Sequence, residues 1–168
     1  MAVNKWVLIG GGIFLAFVAV WLYAMAPTPS PSPSVTSTSP NVQTTGQAML
    51  PTKTITINGQ HLRVEVASTP QQQQDGLSGR SSLVKDTGML FVFPQASNVG
   101  FWMKDMKFSL DIIFADAGGT IVSIAANLSP DTYPAVYYPA APAQYVLEVP
   151  AGYAASHSIA TGQKIVIQ

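Results

Sequence analysis

Read for the alternation of apolar and polar positions, the chain changes character twice. Trp6 to Ala26 is an unbroken run of 21 residues without a charge, preceded by Lys5. At about 1.5 Å rise per residue such a helix crosses a hydrocarbon core of roughly 30 Å. From Pro27 to Leu50 the pattern dissolves into Pro, Ser and Thr with no charged residue. That composition cannot bury enough apolar surface to offset ordering entropy and predicts a disordered tether, reaching at most roughly 75 Å when extended. From Pro51 onward the period becomes that of short strands.

In that third region Ile55 and Ile57, then Asn58-Gly59, then Leu62, Val64 and Val66 spell a hairpin, because Asn-Gly suits the positive φ angles of a tight turn. A two-residue loop pairs Ile57 with Gln60 and Ile55 with Leu62. This puts the aliphatics on one face and Thr54, Thr56, His61, Arg63 and Glu65 on the other, facing solvent. Thr69-Pro70-Gln71-Gln72 opens a short helix with a Thr cap, a Pro in the first turn and a Gln to close a capping box, ended by Gly76 and Gly79. Further strands are predicted at Gly88–Phe93, Val99–Met103, Leu110–Ala115, Thr120–Ala126, Tyr145–Val149 and Lys164–Ile167. Ser129 to Pro142 is expected to be an irregular loop. The fold expected is mainly β: a small antiparallel β-sandwich or partly closed barrel with one short helix, preceded by a single N-terminal transmembrane helix. The corresponding domains are an anchor at 1–26, a linker at 27–50 and a globular β-domain at 51–168.

Lys5 and the amino terminus favour a cytoplasmic N-terminal end, which places the β-domain outside the membrane. A cleaved signal peptide is the rival reading, with Ala24-Met25-Ala26 as the processing pattern, and would make the domain secreted. The apolar run is longer than a signal peptide needs, and Pro27 directly after the cleavage point disfavours a peptidase. The net charge of zero excludes an ordinary nucleic-acid binder. Without cysteine there is no disulfide framework, thiolate nucleophile or thiolate metal site.

Candidate chemistry concentrates in Gly100 to Phe114, where Lys104, Asp105, Lys107 and Asp111 lie among apolar residues beside Trp102. Arg80 is a planar fork suited to a carboxylate, with Asp111 and Glu148, isolated acids in apolar strands, as expected partners. If Arg80 or Lys104 is free instead, it binds an anionic or hydroxylated ligand against Trp102. The expected ligand site is therefore Arg80, Trp102, Lys104, Asp111 and Glu148. Other chemistry is thin. Ser78, Ser81 and Ser82 lack a nearby histidine, and His61 and His157 are not spaced to share a metal ion. Met103 and Met106 suit a soft Cu(I) ion or, more simply, core gaps. No cofactor is expected.

Gly76-Leu77-Ser78-Gly79-Arg80, Gly88-Met89-Leu90-Phe91-Val92-Phe93, Phe101-Trp102-Met103-Lys104-Asp105, Leu110-Asp111-Ile112-Ile113-Phe114 and Tyr145 to Gly152 occur in the order and spacing of a known family. Over about Thr54 to Ile167 the chain resembles the bacterial and archaeal domain-of-unknown-function 192 family. The resemblance implies a compact, mostly β fold and frequent export, and carries no biochemical activity. The chain departs from the family pattern at Ser78, Asp105 and Met106, where methionine, asparagine and threonine are usual. The functional expectation is a membrane-anchored extracytoplasmic domain binding a polar or anionic small ligand or envelope component. Two alternatives are an envelope glycan hydrolase using Asp111 and Glu148, which requires the two carboxyls to flank one bond, and an adaptor using the Tyr133 to Pro142 loop.

Overall fold

The computed structural model describes residues 49–168. The expected anchor and all but the end of the tether lie outside the described residues. Among those described, no helix is long and apolar enough to cross a membrane.

The Asn-Gly hairpin forms in the expected register: β1 (Thr52–Ile57) pairs with β2 (Gln60–Ala67) through Ile55 and Leu62 and through Ile57 and Gln60. Asn58 and Gly59 take φ of 48° and 76°. The capping box also forms: Thr69 Oγ1 accepts from Gln72 N, Gln72 Oε1 accepts from Thr69 N, and α1 runs from Pro70 to Asp75. Gln73 docks that short helix by donating to Val92 O at 2.8 Å.

β3 (Thr87–Ser97), β5 (Leu110–Ala115), β6 (Ile121–Leu128), β8 (Ala143–Pro150) and β9 (Ile165–Ile167) complete a seven-stranded sheet of order β6-β5-β8-β3-β2-β1-β9. A separate ribbon pairs β4 (Phe101–Trp102) with β7 (Val136–Tyr137). Two differences from the sequence-based expectation have physical causes. β2 and β3 are parallel, since the connection between them carries α1 and is long enough to return the chain to the same end of the sheet. The sheet is therefore mixed. It also curls on itself instead of stacking as a sandwich. A bridge between Thr120 and Lys164 joins the outermost strands at one end, with Ile165 N donating to Gly119 O and Ile121 N to Gln163 O, both at 2.8 Å. A Cβ on Gly119 would lie 2.6 Å from Ile165 O, so only glycine permits that approach. Partly closed barrel was the correct alternative.

Curling gives the sheet two buried faces. The inner face packs Ile55, Leu62, Val64, Leu90, Ile113, Leu147, Val149 and Ile165. The outer face packs Met89, Phe91, Met103, Ile112, Phe114 and Val146, and is roofed by Leu77 just after α1 and by Phe101 and Tyr137 of the ribbon. Met103 thus fills a core gap. Every residue of β5 is buried, which explains its nearly continuous apolar run. Burying a side chain the size of Phe91 or Phe114 contributes about 1.5–3 kcal/mol. The expected loop from Ser129 to Pro142 contains a single 3₁₀ turn and β7, and a four-residue helix, α2 (Tyr153–Ser156), was not foreseen.

Candidate functional site

The expected site residues divide between the two faces of the sheet. Along β8, Leu147 and Val149 belong to the inner core, so Glu148 between them projects to the outer face, level with Met89 and Ile112. Asp111 is opposite Val149 and lies on the inner side. There it is 1% exposed and fully used: Oδ1 accepts from Asn127 N at 2.8 Å and Gly152 N at 3.1 Å, and Oδ2 from Ala154 N at 2.9 Å. Asp111 is a clamp holding β6 and the β8–α2 turn to β5. Two carboxyls on opposite faces of one sheet cannot flank a single glycosidic bond, so the expected acid/base pair is not formed.

Arg80 pairs with neither acid. Its Nη1 and Nη2 donate to the two oxygens of Glu65, both at 2.7 Å, in a bidentate fork. The hydrogen bonds to Arg80 hold the Glu65 carboxyl below its ordinary value, against partial burial. Alternation along β2 assigns Glu65 to solvent with His61 and Arg63; those two are exposed, but Glu65 is half-buried. Glu65, Met89 and Glu148 form one row across β2, β3 and β8 on the outer side, and the chain after α1 brings Arg80 onto its near end. Arg80 therefore meets an acid in the same row as Glu148, two strands away. Its Nε is buried without a partner.

Lys104 is exposed in the turn after β4, with its backbone carbonyl accepting from Ser78 Oγ at 3.1 Å. Asp105 has φ 57°, the left-handed region that asparagine and aspartate enter most readily. Aspartate thus suits this backbone position without special strain.

Trp102 and Glu148 do come together. They line a cavity of about 330 Å³ beneath α1 and the ribbon, with Gln73, Gln74, Asp75, Leu77, Ser78, Phe91, Phe93, Phe101 and Met106. Phe101 meets Phe91, Phe93 and Phe114 edge to face at 4.9, 6.4 and 5.9 Å between ring centres. Trp102, 55% exposed, stands at the mouth with its ring against Tyr133. Glu148 is 5% exposed, and its side chain has no hydrogen-bond or ion-pair partner among the described residues. Burial alone pushes its carboxyl up to about 8, so at neutral pH it is mainly a neutral acid able to donate and accept. Neither Arg80 nor Lys104 lines this cavity, so the cations expected to serve an anionic ligand are elsewhere. A larger concavity of about 680 Å³ holds Arg80 and Glu65, but those two charges are spent on each other. The described residues contain no cluster of three or more metal-ligating side chains. His157 stacks on Tyr153 at 4.0 Å and contacts Tyr153 O and Ser156 Oγ, which binds it into the end of α2.

No curated protein matches the chain. Solved chains do, among them two crystal structures. One, from Sinorhizobium meliloti 1021 and provisionally called a transcription regulator, is 31% identical with a TM-score of 0.68, over 73% of this chain and 98% of that one. The other, a protein of unknown function from Novosphingobium aromaticivorans DSM 12444, is also 31% identical with a TM-score of 0.68, over 71% of this chain and 88% of that one. The motifs around Arg80, Phe91, Trp102, Asp111 and Glu148 fall within residues 53–167, which match the model of DUF192, described as an uncharacterized ACR, and the chain belongs to that family.

Proposed function

We propose that the chain is a membrane-anchored, extracytoplasmic domain that binds a small polar ligand in the cavity floored by Glu148. The observation that carries this reading is the acid itself. An apolar cavity does not keep an unpartnered carboxyl at its base for stability, because burying it without a hydrogen bond costs free energy. Aromatic walls with a few polar groups are the usual composition of a small-molecule site. Binding fits better than turnover, since Asp111, the acid expected to pair with Glu148, is committed to backbone N–H groups on the other face. Thermal-shift screening of a metabolite library against the full chain tests it. Stabilising compounds are expected, and their effect should be lost in Glu148→Gln or Trp102→Ala; hits indifferent to both variants refute it.

The anchoring rests on the apolar run from Trp6 to Ala26 and the charge-free tether after it. The full chain should pellet with membranes and resist alkaline extraction, whereas a chain lacking residues 1–26 should be soluble. Recovery of the full chain in the soluble fraction refutes that part. A second reading, an adaptor docking an envelope protein through the Tyr133 to Pro142 loop, is favoured by the exposure of Trp102, Tyr133, Val136 and Tyr138. Recovery from solubilised membranes of a partner that is lost when this loop is replaced would support it.

A further inference from the structure

Resting on the reading of the Glu148 cavity as a binding site, we infer that its ligand presents a protonated primary amine, which donates to Glu148 while its apolar body lies against Phe91, Phe93, Phe101 and Trp102. Three features point the same way. The cavity's two ionisable lining residues, Glu148 and Asp75, are both acids, and no Lys, Arg or His lines it. Glu148 is nine-tenths buried, faces the cavity and has no protein donor, so its oxygens lack the N–H groups that an ammonium supplies. Aromatic faces attract a cation within about 6 Å, an attraction that strengthens when the site excludes water. An anion would meet no cation, with the Glu148 O–H as the one donor offered by the ionisable lining residues. A neutral alcohol would satisfy Glu148 but gain nothing from the rings beyond apolar contact.

The charge balance is explicit. The free site holds a proton on Glu148 at neutral pH; the incoming ammonium keeps its own protons, and Glu148 releases its proton to solvent as the ion pair forms. The other charged groups around the cavity do not compete for this role. Asp75 accepts from Gln71 at the end of α1. Arg80 is paired with Glu65, Lys104, Asp105 and Lys107 lie on the adjoining turn outside the lining, and Asp111 faces the inner core. β3, which carries Met89 beside Glu148, has no ionisable side chain.

Isothermal titration of the full chain in mild detergent with 2-phenylethylammonium, 2-phenylethanol and phenylacetate compares cationic, neutral and anionic heads on one body. The ammonium is expected to bind at least about tenfold tighter than the other two, and Glu148→Gln should reduce its advantage to within about twofold. With Glu148 protonated in the free site, binding at pH 7 should release most of one proton, measured from two buffers of different ionisation enthalpy. Affinity should rise about tenfold per pH unit up to about pH 8 and then level off. Equal or tighter binding of the alcohol or the carboxylate overturns the amine assignment while leaving the cavity a binding site. Failure of all three probes up to about 10 mM overturns the amine assignment; the binding reading falls with it only if the library screen also yields no hit that depends on Glu148 or Trp102. An ammonium preference that survives Glu148→Gln overturns the role given to Glu148.

Discussion

Replacing Glu148 by glutamine isolates what it costs to keep an acid under the aromatic roof. Its carboxyl is raised from an ordinary 4.5 to about 8 because burial withdraws water from the charged form. Below pH 4.5 the group is protonated in both folded and unfolded chains, and its contribution does not change with pH. Between 4.5 and about 8 the unfolded chain has lost the proton while the folded chain retains it, so wild-type stability falls as pH rises. Above about 8 both states are ionised and the loss is complete. At about 1.4 kcal/mol per pH unit, that interval amounts to about 5 kcal/mol. This is a large share of the 5–15 kcal/mol that holds a typical domain together. Glutamine has the same shape and does not titrate. Urea unfolding followed by circular dichroism, on the full chain and Glu148→Gln at pH 4.5, 6, 7.5 and 9, should show stabilities within about 1 kcal/mol of each other at the lowest pH. The variant should then lead by several kcal/mol at the highest, with every other titrating group cancelling in the difference. Parallel pH profiles would refute the reasoning, because they would mean that Glu148 is solvated or partnered in the folded chain.

Three further outcomes are expected. Asp111→Asn turns one acceptor oxygen into a donor facing a backbone N–H, and should cost about 2 kcal/mol by urea unfolding; Asp111→Ala orphans the N–H groups of Asn127, Gly152 and Ala154 and should cost about 3–5 kcal/mol. Losses below about 0.5 kcal/mol in both variants would remove its assignment as a clamp. Glu65→Gln leaves Arg80 half-buried and unpaired, and should cost about 1–2 kcal/mol at pH 7. Because the folded Glu65 value is lowered, that difference should be complete above about pH 4.5 and vanish as pH falls further, so a difference that persists at lower pH would argue against the ion pair. Thr69→Ala removes the cap of α1 and should lower stability by about 1 kcal/mol, against only a few tenths for Thr69→Gly; equal losses in the two variants would speak against the capping interaction.

Local chemistry made part of this architecture legible in advance. Asn58-Gly59 set the hairpin register and Thr69 to Gln72 set the helix start, because both signals act over a few residues. Tertiary partners are not local. Alternation along β2 assigns Glu65 to water, and only the chain returning after α1 half-covers it and supplies Arg80. Asp111 and Glu148 look alike in sequence, each a lone acid in an apolar strand. One residue of offset in register sends them to opposite faces, where one meets three backbone N–H groups and the other meets none. Trp102 and Glu148, the buried acid and the aromatic at the turn, line one cavity. Val136 and Tyr137 were missed as a strand because two residues between prolines carry no periodicity.

The order of strands in the sheet departs widely from their order in the chain, and this governs when the domain can fold. β8 separates β5 from β3, and β9 lies beside β1. A chain delivered from its N-terminus first can close the β1–β2 hairpin and the β5–β6 pair as they emerge. The apolar strands holding Phe91 and Phe114 have no common neighbour until residues 143–150 arrive. The bridge at Lys164 is made only by the last turn. Assembly therefore waits on the C-terminal quarter of the chain, and the long loop closures involved place it among slowly folding β topologies. Truncation after β7 should leave no independently folded core, whatever route brings the chain to its compartment.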